Sequence, residues 1–191
     1  MFGSCIWHNE PSEWSVNGGA LTVRSDEKTD FWRDTYYGFT RDSGHFFGRA
    51  WEGDFTASLR VQGRYEELYD QAGIMVRIDE NNWIKAGIEL SDGAACVGSV
   101  LTVDQSDWST SVYASDPSDF HLRVTVQAGI LRLQSSTDGF RWPLLRLCPF
   151  PIAPTYFVGP MLCTPERSGL NVTFSNFEIG PPNGKALHDL T

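Results

Sequence analysis

The chain has 191 residues, enough for one domain with small additions, and a formal charge of -9. That acidity excludes a basic nucleic-acid footprint, and a composition 41% hydrophobic and 13% aromatic excludes a disordered chain. Seven Trp, 6 Tyr and 12 Phe beside 18 Gly and 10 Pro favour strands and turns over helices.

The first eight residues have neither a basic n-region nor an apolar h-region, and no apolar stretch reaches the ~18 residues of a membrane span. A cytoplasmic protein without membrane contact is the expectation. Cys5, Cys96, Cys148 and Cys163 are widely spaced and are expected as free thiols. Asn171-Val172-Thr173 matches a glycosylation acceptor but is expected to be ordinary strand.

Short segments with period-2 alternation follow one another between turn signals. Residues 13–16 and 20–24 flank Asn17-Gly18-Gly19, a strong hairpin signal. Residues 45–51 and 54–62 flank Glu52-Gly53, and 71–78 and 83–90 flank a four-residue loop, Asp79-Glu80-Asn81-Asn82. Residues 94–102 follow Ser91-Asp92-Gly93, and 120–127 and 130–136 flank Ala128-Gly129. Asp138-Gly139 leads into 140–147, and 155–162 and 170–178 complete roughly a dozen strands, the pattern of an all-β sandwich or barrel. Only short helical turns are expected, at 65–69 or near Pro165. The tail from Gly180, rich in Pro and Gly, is expected to be loosely held.

The alternation can be phased. Phe55, Ala57, Leu59 and Val61, then Ala72, Ile74, Val76 and Ile78, then Ile84, Ala86, Ile88 and Leu90, then Leu122, Val124 and Val126 form apolar faces that should pack between two sheets. The opposite face of the central pair is unusual. Gln71, Arg77, Lys85 and Glu89 share it with Gly73, Gly87, Met75 and Trp83. Mid-strand glycine marks close approach by a ligand or another backbone, and an ammonium inside a strand needs a partner or a solvated cavity. Pairing across the four-residue loop would set Arg77 near Lys85, Met75 near Gly87 and Glu89 near Gly73. The face is then a ligand floor or an ion-pair network in which Glu89 neutralises Arg77 or Lys85.

Nucleotide motifs, a GxSxG elbow and His/Cys metal spacings are absent, so no metal and no cofactor are expected. The Glu-x-Asp-x-x-Glu strand of retaining jelly-roll glucanases is also absent. Glu89 is the one carboxylate on the floor between 71 and 90, and a second would have to come from a distant segment such as Asp30 or Asp34. Trp32, Tyr37 and Trp108 offer stacking surfaces beside polar groups such as Arg33.

Several segments carry a resemblance: Asp30-Phe31-Trp32-Arg33, Tyr37-Gly38-Phe39, Gly53-Asp54-Phe55-Thr56, Tyr69-Asp70-Gln71-Ala72-Gly73 and Trp83-Ile84-Lys85-Ala86-Gly87-Ile88-Glu89. Ser136–Trp142, Gly159-Pro160-Met161 and Phe174-Ser175-Asn176-Phe177 extend it to residues 7–179. Together they resemble a bacterial and fungal family labelled "regulation of enolase"-like, within the concanavalin A-like lectin/glucanase superfamily. The resemblance implies a single jelly-roll β-sandwich of two antiparallel sheets over 1–179, with a concave face and no settled activity. Gly44-His45-Phe46-Phe47 is also family-like and adds His45 to the candidate face.

The ligand-binding candidates are therefore Trp32, Arg33, Tyr37, His45, Gln71, Arg77, Lys85, Glu89 and Trp108, with no catalytic residue assigned. The expected role is a lectin-like module for a carbohydrate or sugar-derived small molecule, in which Arg77 or Lys85 takes an acidic group. The first alternative is a protein partner, as in a regulatory module acting on a metabolic enzyme. The second is a carbohydrate-active hydrolase with Glu89 as acid/base.

Overall fold

The computed structural model describes residues 2–191. Among them the chain forms sixteen strands and no helix: β1 Cys5–His8, β2 Glu13–Asn17, β3 Ala20–Arg24, β4 Phe31–Arg33, β5 Thr40–Asp42, β6 His45–Glu52, β7 Phe55–Gly63, β8 Gln71–Arg77, β9 Asn82–Ser91, β10 Ala94–Val103, β11 Gln105–Val112, β12 Asp119–Gln127, β13 Ile130–Ser136, β14 Leu144–Pro149, β15 Thr155–Cys163 and β16 Asn171–Gly180. Two seven-stranded antiparallel sheets result. The front sheet runs β1-β6-β15-β8-β9-β10-β11, and the back sheet β14-β13-β12-β7-β16-β3-β2. The expected jelly-roll sandwich is the fold. A two-stranded ribbon, β4-β5, lies apart from both sheets.

Local chemistry sets these boundaries. Gly18 and Gly19, Asp92 and Gly93, and Ala128 and Gly129 all take positive φ, the two-residue turn whose twist matches the strands of a hairpin. They close β2-β3, β9-β10 and β12-β13. The alternating apolar faces meet as expected. Phe55, Leu59, Val61, Leu122, Val124, Leu131 and Phe174 of the back sheet share one core with Ala72, Ile74, Val76, Ile84, Ile88, Val158 and Leu162 of the front. Burying one such aliphatic or aromatic side chain contributes about 1.5–3 kcal/mol, so this interface dominates the stability.

Four expectations are corrected. The turn between β8 and β9 closes on Ile78 and Asn82, because the Asp79 carboxylate accepts the amides of Asn81 and Asn82, each at 2.8 Å. The register therefore shifts by two residues, to Gln71↔Glu89, Gly73↔Gly87, Met75↔Lys85 and Arg77↔Trp83. No helical turn forms at 65–69. The buried Asp70 accepts the amides of Glu66 and Glu67 and is gripped by Arg167, which staples a tight turn. Residues 140–143 are turn, not strand, since Asp138 accepts the Phe140 and Arg141 amides. The chain end is not loose. Arg132 donates to the Lys185 and Ala186 carbonyls, Arg123 to that of Thr191, and the Trp142 amide to that of Leu190.

The mid-strand glycines answer to a neighbouring backbone. A Cβ on Gly73 would lie 1.8 Å from the Ala86 carbonyl oxygen, and one on Gly87 2.0 Å from that of Ala72. Gly87 also pairs with Gly98, giving a bare glycine row across three strands.

Candidate functional site

The outer face of the front sheet carries the site. Its register places Gln71 beside Glu89 in one row, and Met75, Lys85, Val100 and Trp108 across β8 to β11 in another, with the glycine row between. Over this floor folds the segment bearing β4 and β5. A second apolar cluster of Phe31, Trp32, Phe46, Met75, Trp83, Val100 and Met161 glues it down. Polar tethers fix its start. The Thr164 hydroxyl donates to the Asp26 carbonyl at 2.9 Å and lies in hydrogen-bond contact with the Ser25 hydroxyl at 2.8 Å, and the Thr164 amide donates to Thr29 Oγ1 at 3.0 Å.

Between floor and flap lies a cavity of about 220 Å³. Trp32, Tyr37 and Phe39 wall one side and Trp108 another, while Tyr69, Pro165 and Glu166 reach it from two turns. Gln71, Lys85, Glu89 and Val100 form its floor, with Asp30 beside them. The aromatic wall is ordered ring on ring: Trp32 meets Tyr37 edge-on at 5.5 Å, and Tyr37 stacks on Phe39 at 5.4 Å. The loop presenting Tyr37 is strained, with Asp34 and Tyr36 both at positive φ. It is held by the Trp32 indole, which donates to the Thr35 carbonyl at 3.0 Å. Tyr37 and Trp108 stay 45% and 36% exposed, so both rings offer open faces.

The floor is electrostatically divided. Lys85 is 4% exposed, and its ammonium donates to Asp30 Oδ1 at 3.0 Å. Burial opposes its charge, but Asp30, with Cys163 and Glu89, raises its pKa overall. Glu89 has no hydrogen-bond or ion-pair partner among the described residues. Burial pushes it up to about 7; Lys85 pulls down, and Asp30 and Asp92 add to the rise. The Tyr69 hydroxyl, hydrogen-bonded to Tyr37 and partly buried, is pushed up to about 12. Burial likewise raises the Cys163 thiol, which makes it a poor nucleophile or ligand. Among the described residues no three His, Cys, Asp or Glu side chains converge as a metal would require.

Six of the nine candidate residues, Trp32, Tyr37, Gln71, Lys85, Glu89 and Trp108, meet in this cavity. The other three lie outside it. Arg77 makes a two-pronged ion pair with Asp42, at 2.8 and 2.9 Å, because the register moves it one row away from Lys85. Burial works against the Asp42 carboxylate, yet His8 and Arg77 hold it below its usual range. His45 is locked in backbone: Nδ1 donates to the Asn9 carbonyl at 2.7 Å, and Nε2 accepts the Asp26 amide at 3.0 Å. Arg33 donates to the Asp104 carbonyl and pins β4 to the β10-β11 turn. The expected partnership of Glu89 with Arg77 or Lys85 is likewise replaced by Asp42 and Asp30. Phe39, Tyr69 and Glu166 were not among the candidates, since each comes from a turn or a non-adjacent strand.

Fold and cavity together define an antiparallel β-sandwich with an aromatic-walled pocket on one outer face. The chain belongs to the family described as "Protein of unknown function (DUF1349)", which it matches over residues 7–182. It is 60% identical over 185 residues to "Regulation of enolase protein 1" of Saccharomyces cerevisiae, covering 97% of this chain and 93% of that one. A crystal structure of a functionally unknown protein from Saccharomyces cerevisiae superposes with a TM-score of 0.95 at 58% identity, over 96% of this chain and 99% of the other. The fold also occurs in xylan beta-1,4-xylosidase from Bacillus halodurans, with a TM-score of 0.64 at 13% identity, over 88% of this chain and 35% of that one.

Proposed function

We propose that this protein is a lectin-like binding module whose cavity takes a carbohydrate or sugar derivative. One observation carries the reading: a cavity about one sugar ring in size has open Trp and Tyr faces on its walls and Gln71, Lys85 and Glu89 on its floor. Sugar rings present apolar C–H faces to aromatics and hydroxyls to polar groups, so both surfaces are matched. Tyr37 and Trp108, 45% and 36% exposed over the buried Lys85, support this reading. The test is calorimetric titration of mono- and disaccharides into wild type and Trp108→Ala. Saturable binding, weakened at least tenfold by the substitution, is expected. Equal binding by the variant would move the site elsewhere.

Two observations favour other readings. Asp30 and Glu89 both face Lys85, and a carboxyl titrating near 7 suits general-acid chemistry on a glycoside. Release of reducing sugar during the same titration supports a hydrolase, and its absence with every bound sugar removes that reading. The printed name of the yeast relative favours a regulatory module acting on a metabolic enzyme. Enolase retained on immobilised protein, and released by no sugar, would support it.

A further inference from the structure

Resting on the sugar-binding reading, we propose that the ligand is positively charged: a basic amino sugar, its ammonium against the Glu89 carboxyl and its ring against the Trp and Tyr walls. The charges around the cavity point to such a ligand. Both cations expected to hold an acidic group are already occupied. Lys85 is neutralised by Asp30 at 3.0 Å, and Arg77 is closed off by Asp42 at 2.8 Å. The charges left over are acidic. Among the described residues Glu89 on the floor lacks a partner, and so does Glu166 where it lines the cavity.

An anionic sugar entering this cavity would meet two unpaired carboxyls, Glu89 and Glu166, and no unpaired cation among the described lining residues. A cationic one meets complementary charge and the π faces of Trp32, Tyr37 and Trp108, which attract an ammonium most strongly when it is desolvated. The overall charge of -9 draws a cation from solution and repels an anion. A neutral sugar would leave an ionised Glu89 with only Lys85, already paired with Asp30, to offset it. Glu89 is faced by Lys85 on its own strand, Asp30 from the flap, Asp92 from the β9-β10 turn, Tyr69 from the turn before β8 and Cys163 at the end of β15. Asp30 and Asp92 add to the negative field, and Lys85 is offset by Asp30.

The experiment is a matched titration at constant ionic strength with glucosamine and its disaccharide, the N-acetylated pair, the plain glucose pair and glucuronate. The amino sugars should bind wild type at least tenfold more tightly than their N-acetyl counterparts, with glucuronate weakest. A fixed-charge N-trimethyl amino sugar should gain affinity as pH rises from 5.5 through 7, as Glu89 ionises. Glu89→Gln, with folding checked by near-UV circular dichroism, should lose the preference and keep residual neutral-sugar binding. Stronger binding of N-acetyl sugars or glucuronate overturns the charge assignment and leaves the sugar reading standing. Tetramethylammonium binding as tightly as any amino sugar overturns the sugar reading and the amino-sugar identity together. No binding by any probe overturns both.

Discussion

At the scale of single residues, Glu89 makes a prediction that needs no ligand. Its pKa rises from an ordinary 4.5 to about 7, chiefly through burial. Between those values the folded chain keeps a proton that the unfolded chain has released. Stability therefore falls as pH rises from about 4.5 to about 7 and is flat in this group above that. The loss approaches about 3 kcal/mol at most. Urea denaturation at pH 5 and pH 8 should show the drop in wild type and little of it in Glu89→Gln. An equal pH dependence in both would assign it to other groups. This residue could be found from sequence, because period-2 phasing puts it on the outer face with Gln71 and Lys85. Its isolation could not be found, since that depends on Asp30, which the fold brings 55 residues back to take Lys85 away from it.

At the scale of strands, the glycine row decides how closely β8, β9 and β10 pack. Gly87→Ala places a methyl carbon 2.0 Å from the Ala72 carbonyl, inside contact with backbone that has no rotamer to change. The pair must separate or lose ladder bonds, and the expected cost is about 2–3 kcal/mol. Thermal denaturation measures it, with Gly3→Ala, which has open space around its Cβ, as the near-neutral control. The same strands explain what was legible. β7, β8, β9 and β12 alternate cleanly because one face of each is core. β11 was missed because Gln105–Val112 is an edge strand, exposed at seven of its eight positions, with no apolar face to give a period. β1, β4 and β5 are three or four residues long, too short to show one. The cavity walls Phe39, Tyr69 and Glu166 were illegible for a related reason. Their positions follow from the strained Tyr37 loop and from the Asp70–Arg167 clamp, which are tertiary in origin.

At the scale of the whole molecule, the back sheet holds down its own chain end through two buried arginines. Arg132 donates three hydrogen bonds to residues 183–186, and the Arg123 guanidinium lies 4.4 Å over Trp142 while reaching Thr191. Arg132→Ala should free the tail with little effect on the sandwich. Amide exchange in residues 183–191 should speed up at least tenfold, with the melting temperature lowered by no more than about 3 °C. Unchanged exchange would mean that Arg123 and the Trp142 amide suffice.

Both sheets also share a topological property. β15 lies between β6 and β8, and β16 between β7 and β3, so the last two strands of the chain are interior strands. Until residues 155–163 have been synthesised, the front sheet is two separate pieces with unpaired inner edges, and the back sheet waits still longer for its own joining strand. Translation therefore runs through more than four-fifths of the sequence before either layer can close. For all that time the future core and the future cavity floor are exposed in the nascent chain, a burden that falls on the cell's chaperones and not on the finished protein.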